Sequence, residues 1–459
     1  MGLFINGVGA QALKDYQYSG SDLSLTYKYI LSPLAQKCVD NLTPRSLAPN
    51  TITFLGLLFM VFSYIVMYLY NPNLESFPFG VEIPRWVFFL NGSCMLIYQT
   101  LDNMDGKQAR RTGSSSPLGM LFDHGCDAIN SPLGSINWCV AMGIGVNQPF
   151  AVLWTLISSA IPFYFSTWEE YYTGALVLPV INGPSEGLIL GASVSFFTGV
   201  FGVEAWHGYA GYDAVFAEGG VTGGVFAEHA EFVGGLFEDQ SGSGFRGLKN
   251  YQLLICLAAF CAIQEAILKC ASVVKTYGVK SLLNLLPFVT LLTCALTVGV
   301  YLPNSMTVNL RSFMFLFGIL FVEQVTALML AHMTLCDMMP MRVILFPAVL
   351  VAICSYCGLL SDNVDPTSWL DGTKVVLMYL GFALTFVGFK FIVVISEITE
   401  CLGIYCFDIM TKRGDTVEYV KIKGGKAKAT TKAASGGAEE KKVTTRKATR
   451  SSSRGRKRA

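Results

Sequence analysis

The sequence predicts an all-α polytopic membrane protein, with about ten transmembrane helices preceded by an N-terminal amphipathic helix at the membrane interface. Two observations carry that class. Only 14% of the 459 side chains are charged and 52% are hydrophobic, about half the charged share of a soluble domain. Apolar runs near or above the ~17 to 25 residues that cross a bilayer recur along most of the chain. This composition excludes a disordered chain and argues against a water-soluble enzyme.

Residues 1–48 form an N-terminal segment. Met1 to Ala10 lacks the basic-then-apolar order of a cleaved signal, and Asn6 stands where a myristoylation motif needs Ser or Thr. Insertion is therefore expected to rely on the first internal span. Residues 24–42 mix Leu, Ile and Tyr with Lys28, Lys37 and Asp40, a pattern suited to lying on the membrane surface.

A transmembrane domain is expected over 49–410. Its spans read as 51–70, 86–101, 117–146, 149–172, 187–203, 251–275, 281–302, 312–335, 342–361 and 374–398. An even count puts both termini on one side. The loop 71–85 carries Glu75 and Glu82 against Arg85, whereas the loop expected over 102–116 carries Lys107, Arg110 and Arg111, so the second loop and both termini are expected in the cytosol. Residues 204–249 are Gly-rich, with apolar residues that never run long enough to span, and read as a lumenal insertion.

The net charge of +1 conceals a segregation. From Lys412 onward 16 Lys/Arg face four Asp/Glu, a tail of +12, which leaves 17 against 28 before it, a body of −11. The tail, 411–459, has Tyr419 as its one aromatic residue and cannot bury a core, so disorder is expected. Its charge suits anionic lipid or nonspecific acidic partners, although a solvated tail is the simpler reading; no specific nucleic-acid binding is expected. The thirteen cysteines sit mostly in apolar runs, as Cys256, Cys261 and Cys270 do, and imply neither a disulfide nor a zinc site.

Between the second and third spans lies LDNMDGKQARRTGSSSPLGMLFDHGCDAIN. Asp102 and Asp105 are three residues apart and Asp123 and Asp127 four apart, so on helices each pair projects from one face. Two such faces opposed would form a four-carboxylate cage. Four acids held together at the edge of a bilayer resist ionisation without cations, which points to divalent metal. Oxygen-only ligands favour Mg2+ or Mn2+, although Ca2+ could bind them too. Gly106 and Ala109 remove bulk beside the acidic face, Gly119 does so opposite, and Arg110 offers a fork of donors for phosphate oxygens. Two metals about 3.5 to 4 Å apart would neutralise a diphosphate for in-line displacement. The bland alternative is that the acids cap helices and pair with Lys107, Arg110 and Arg111.

The array Asp102-x2-Asp105-Gly106-x2-Ala109-Arg110-x8-Gly119-x3-Asp123-x3-Asp127 resembles the CDP-alcohol phosphotransferase signature at every fixed position. The wider stretches YQTLDNMDGKQARRTGSSSPLGMLFDHGCDA, LAPNTITFLGLL and WEEYYTGALVLPVINGPSEG are similar to the eukaryotic choline/ethanolamine phosphotransferases, including plant aminoalcohol phosphotransferases. The likeness runs from about Tyr16 to Asp408; the Gly-rich insertion and the basic tail depart from it.

This resemblance implies Mg2+-dependent transfer of phosphocholine or phosphoethanolamine from its CDP carrier to diacylglycerol, releasing CMP. It implies a membrane of the endoplasmic reticulum or Golgi, and leaves a homodimer open. Asp102, Asp105, Asp123 and Asp127 would ligate two ions, Gly106, Ala109, Arg110 and Gly119 would line the nucleotide and diphosphate, and Asn50 would add a contact. His124 would accept the diacylglycerol proton, an imidazole being matched to neutral pH, with Asp127 as the competing base. No covalent intermediate is expected, the run Ser114 to Ser116 reading as loop.

Trp168, Glu169, Glu170, Tyr171 and Tyr172 are types that could hold a quaternary ammonium, but an interfacial belt explains them equally. Glu323 and His332 read as polar contacts between helices. Two rivals remain: a CDP-alcohol enzyme using CDP-diacylglycerol and a soluble alcohol such as inositol, and a transporter with an intramembrane acidic site. Chain length argues against the first, and the lack of a second copy of the aspartate pattern argues against the second.

Overall fold

The computed structural model describes residues 2–208, 249–339, 341–362 and 371–409, together with the backbone of 417–419 and 429–431. Helix α1 (Gly7–Asp15) starts at Asn6, whose side chain accepts from the Gly9 N–H at 2.8 Å. After strand β1 (Gly20–Asp22), a π-helical turn (Tyr27–Leu31) runs directly into α2 (Ser32–Asn41). The stretch expected at the interface is thus helical over most of its length. It buries Ala35 and Val39 while leaving Tyr29, Ile30 and Leu34 exposed, the sidedness an interfacial helix needs.

The helices that follow are α3 (Pro49–Tyr70), α4 (Arg85–Thr112), α5 (Pro117–Met142) and α6 (Pro149–Thr173). Strand β2 (Leu176–Leu178) leads to α7 (Leu188–Phe201) and then α8 (Asn250–Tyr277). A 3-10 turn (Val279–Leu285) opens α9 (Leu286–Tyr301), followed by the short α10 (Pro303–Val308), α11 (Leu310–Thr334), α12 (Leu345–Tyr356) and α13 (Gly372–Leu402). A proline in the first turn opens α3, α5, α6 and α9, where its missing N–H costs nothing.

Every stretch expected to span falls on a helix. Six are long and apolar enough to cross a membrane: α3, α6, α8, Val279–Tyr301, α11 and α13. Helices α7 and α12 are shorter, 14 and 12 residues; the span expected over 342–361 holds only the latter. The loop expected over 102–116 is mostly helix, because α4 continues to Thr112 and only Gly113 to Ser116 connect it to α5. Its Lys107, Arg110 and Arg111 are charges at the end of a long helix rather than in a loop.

Nearly every side chain of α11 is buried, and it packs against α5, α6 and α13 at the centre of the bundle. Helix α8 is peripheral and turns Leu253, Leu257, Phe260 and Ile267 outward. In a bilayer, apolar burial no longer drives helices together, and hydrogen bonds between them contribute about 0.6 kcal/mol each on average. A buried network of this kind ties α3, α4, α5 and α7: Asn91 Oδ1 accepts from Ser63 (2.5 Å) and Asn137 Nδ2 (2.8 Å), and Asn91 Nδ2 donates to Ser195 Oγ (2.8 Å). Gly92 lets α7 approach, since a Cβ there would stand 3.0 Å from the Ala192 carbonyl oxygen.

The ends of the expected insertion meet: Asn250 N donates to Gly208 O at 3.0 Å, and Asn250 Nδ2 to Ala205 O at 2.8 Å. Residues 209–248 lie outside the described residues. So does the basic tail, except that strands β3 (Val417–Tyr419) and β4 (Ala429–Thr431) pair antiparallel.

Candidate metal centre

The two halves of the acidic motif are joined by a four-residue connection. Gly113, at φ 65°, ends α4 with its N–H on the Ala109 carbonyl, a left-handed position that suits glycine. Ser116 opens α5, its side chain accepting from Gly119 N at 3.1 Å. Helix α3 packs against both α4 and α5. This frame brings together Asp102, Asp123 and Asp127, each offering an oxygen within 4.8 Å of the others.

Asp105 lies outside that triad. It is buried, and its Oδ2 accepts a hydrogen bond from Thr53 Oγ1 of α3. Asp127 Oδ1 accepts one from the Tyr98 hydroxyl of α4, whereas Asp123 Oδ1 is buried with no partner. Among the described residues no Lys, Arg or His forms an ion pair with any of the four acids. Gathered carboxylates, an orphaned buried oxygen and an oxygen-only donor set fit a divalent cation.

The basic residues of the motif turn elsewhere. Lys107 Nζ donates to Ser32 Oγ at 2.8 Å, and Arg111 Nη1 donates to the Val39 (2.5 Å) and Thr43 (2.9 Å) carbonyls, so both fasten α4 to the N-terminal segment. They do not neutralise the aspartates. Arg110 is exposed, and its Nη1 lies 3.4 Å from where a Cβ on Gly106 would stand, so the guanidinium rests beside the glycine. Ala109 is half-buried, its carbonyl taken by the helix end. Asn50 Nδ2 is committed to the Cys406 carbonyl at 2.9 Å, while its Oδ1 would sit 3.6 Å from a Cβ on Gly119.

His124 is buried on α5. Its Nδ1 has no hydrogen-bond partner, and its ring lies 6.4 Å from that of Phe163 on α6. Most of the acid-and-aromatic run at the end of α6 is engaged in packing. Trp168 Nε1 donates to Ser281 O (3.3 Å), Tyr171 donates to Cys336 O (3.3 Å), Tyr172 donates to Ser281 O and accepts from Asn284 Nδ2 (2.9 Å), and Glu169 pairs with Lys269 at 2.7 Å. The polar groups of these four are thus committed to neighbouring elements. Glu323 is a contact between helices, as its sequence context indicated: it pairs with Arg342 (2.6 Å) and with Lys390 of α13 (2.8 Å). His332 Nε2 lies 3.9 Å from Glu170 Oε1.

The N-terminal segment also reaches the site. Tyr16 donates to Met120 Sδ at 2.6 Å and meets the His332 ring edge-on at 5.7 Å. Tyr18 is half-exposed; burial pushes its phenol up, the Glu170 and Asp123 carboxylates and Tyr27 add to this, and Arg110 opposes it. The segment is held by parallel pairing of β1 with β2, and Asp22 accepts from Asn182 Nδ2 (2.9 Å) and Ser185 Oγ (2.8 Å). Sequence reading missed Thr53, Tyr98, Tyr16 and Tyr18. The first two had a helical signal: Thr53 is one turn from Asn50, and Tyr98 one turn before Asp102.

Comparison with known proteins agrees with this geometry. The family described as CDP-alcohol phosphatidyltransferase matches residues 46–172, which contain the whole aspartate array. Choline/ethanolaminephosphotransferase 1 of Arabidopsis thaliana is 36% identical over 426 residues, covering 89% of this chain and 99% of that protein. Choline/ethanolaminephosphotransferase 2 of the same plant is 34% identical over 423 residues, with the same coverage. Choline/ethanolaminephosphotransferase 1 of Saccharomyces cerevisiae is 37% identical over 210 residues, covering 46% of this chain and 52% of that protein.

Proposed function

The chain belongs to the CDP-alcohol phosphotransferase family, in its choline/ethanolaminephosphotransferase branch, and from that premise we propose that it transfers phosphocholine or phosphoethanolamine from CDP-choline or CDP-ethanolamine to diacylglycerol. The products are CMP and phosphatidylcholine or phosphatidylethanolamine. The observation that carries this reading is the convergence of Asp102, Asp123 and Asp127 with no ion-paired Lys, Arg or His to balance them among the described residues.

Asp102, Asp123 and Asp127, with Asp105 beside them, would hold Mg2+ or Mn2+, which when bound supplies the positive charge that neutralises the diphosphate. The protein's own groups do the rest. The Arg110 guanidinium at the mouth donates to phosphate oxygens, and Gly106 keeps the backbone beside it open. Asn50 Oδ1 and Gly119 line the same face. The Tyr98 and Thr53 hydroxyls orient Asp127 and Asp105 by hydrogen bonds.

The diacylglycerol hydroxyl forms its bond to the β-phosphorus as the bond to the CMP oxygen breaks, and its proton passes to His124 Nδ1. That nitrogen is buried and unpartnered, as a base awaiting a proton must be, whereas Asp127 Oδ1 already accepts from Tyr98. The metal site lies where α4 ends and α5 begins, beside Lys107, Arg110 and Arg111, which supports a cytosolic opening in a ten-span arrangement. Diacylglycerol would arrive laterally, in an endoplasmic reticulum or Golgi membrane.

The test is product identity. Purified protein with Mg2+ is given diacylglycerol and the two CDP-alcohols in competition, and separately CDP-diacylglycerol with inositol. Phosphatidylcholine or phosphatidylethanolamine together with CMP is expected from the first mixture; phosphatidylinositol from the second alone would overturn the assignment.

A further inference from the structure

The metal centre and His124 account for the diphosphate and the acceptor, but not for the amino-alcohol end of the donor. Glu170 stands seven residues beyond Phe163 on α6, hence on the helix face that meets His124 and about 10 Å further along the axis. Its side chain is 2% exposed, and among the described residues its carboxylate accepts no hydrogen bond. His332 Nε2, at 3.9 Å, is beyond hydrogen-bonding distance. A buried carboxylate whose one ion-pair neighbour is a histidine at this distance, a partner only when protonated, gains further from a cation that completes it.

The N-terminal segment runs beside the same end of α6. Leu176 N donates to Ser19 O at 2.9 Å, so the chain around Tyr18 is pinned just beyond the end of α6. Tyr16 covers His332 with its ring and rests its hydroxyl on Met120, three residues from Asp123. The Asp22 latch to Asn182 and Ser185 fixes this strap in place. The run after α6 thus fixes the segment that carries both tyrosines beside the end of that helix.

Resting on the phosphotransfer reading above, we propose that Glu170 and Tyr18 form the receptor for the ammonium group of the CDP-alcohol. The carboxylate supplies the charge that both head groups require. A primary ammonium also donates hydrogen bonds, whereas a trimethylated one donates none and gains more from the ring of Tyr18. Glu170 therefore holds the ammonium of either head group, and Tyr18 is the specificity-determining residue, favouring choline.

The experiment measures binding of CMP, CDP-choline and CDP-ethanolamine to the purified full chain in Mg2+. Glu170→Gln is expected to weaken both CDP-alcohols about tenfold or more while CMP, which lacks the ammonium, stays within about twofold. Tyr18→Ala, at a half-exposed position, is expected to weaken CDP-choline by about 2- to 30-fold and CDP-ethanolamine less; Tyr18→Phe, which keeps the ring, restores it. Equal weakening of CMP and the CDP-alcohols in Glu170→Gln makes Glu170 merely structural and overturns the proposal. Unchanged affinity for the CDP-alcohols in both Glu170→Gln and Tyr18→Ala overturns it too, because the ammonium is then held elsewhere. A wild type that binds both CDP-alcohols but forms no lipid from diacylglycerol instead defeats the phosphotransfer reading, which separates the two failures.

Discussion

Two sites built on acidic side chains are treated in opposite ways by this fold. Glu323, on the central helix α11, is 1% exposed and meets two cations, Arg342 at 2.6 Å and Lys390 at 2.8 Å. Asp102, Asp123 and Asp127 each offer an oxygen within 4.8 Å of the others and, among the described residues, pair with no cation, although Lys107, Arg110 and Arg111 belong to the same motif. The first cluster is closed by the protein itself and joins elements. The second is left open, and a fold that bears such repulsion without relieving it keeps the place for a cation from outside.

The strongest way to break this contrast is Asp123→Asn. It removes one of the gathered acids, including the buried oxygen that lacks a partner. Lipid synthesis is expected to fall below about a thousandth of the wild-type rate, since the charge stabilisation lost amounts to several kcal/mol. Thermal unfolding supplies the second readout. Added Mg2+ should raise the wild-type midpoint by binding only the folded state and leave the variant's midpoint unmoved. Full activity, or an undiminished Mg2+ shift, would show that these acids are not ligands.

His124→Ala comes next, because it tests the proton rather than the metal. Loss of a general base costs about 10^2 to 10^4 in turnover, while CDP-alcohol binding and the Mg2+ shift in unfolding should persist. Near-normal turnover would move the base to Asp127, despite the hydrogen bond it already accepts from Tyr98.

What could be read from the sequence follows the same division. The expected spans landed on helices because long apolar runs are a local signal. The four aspartates stood out because charge is costly where they sit, and three- and four-residue spacing puts each pair on one helix face. The continuation of α4 to Thr112 was hidden by its charges, which are solvated at a helix end as they would be in a loop. Trp168, Tyr171 and Tyr172 have the chemistry of a choline cage, and only tertiary contacts reveal that their polar atoms bond the backbone near Ser281 and Cys336. Tyr18 lies 105 residues before Asp123 and 152 before Glu170, and no local periodicity encodes a strap folding back through a parallel pairing with residues 176–178.

Glu323→Gln sharpens the comparison from the other side, with the smallest expected effect on catalysis. It leaves Lys390, itself buried, and Arg342 facing a neutral amide, and stranding buried charge in this way costs about 3–5 kcal/mol. A lower unfolding midpoint is therefore expected, with turnover per folded molecule close to wild type. Replacing all three partners together, as Glu323→Leu, Lys390→Met and Arg342→Met, removes the charges along with their mutual attraction and should recover most of that stability. No corresponding apolar replacement of Asp102, Asp123 and Asp127 should recover activity, because their charge serves the substrate and the metal rather than the fold. If the triple replacement at Glu323 also silenced the purified, folded enzyme, the closed cluster would have a part in the chemistry and the division between the two would fail.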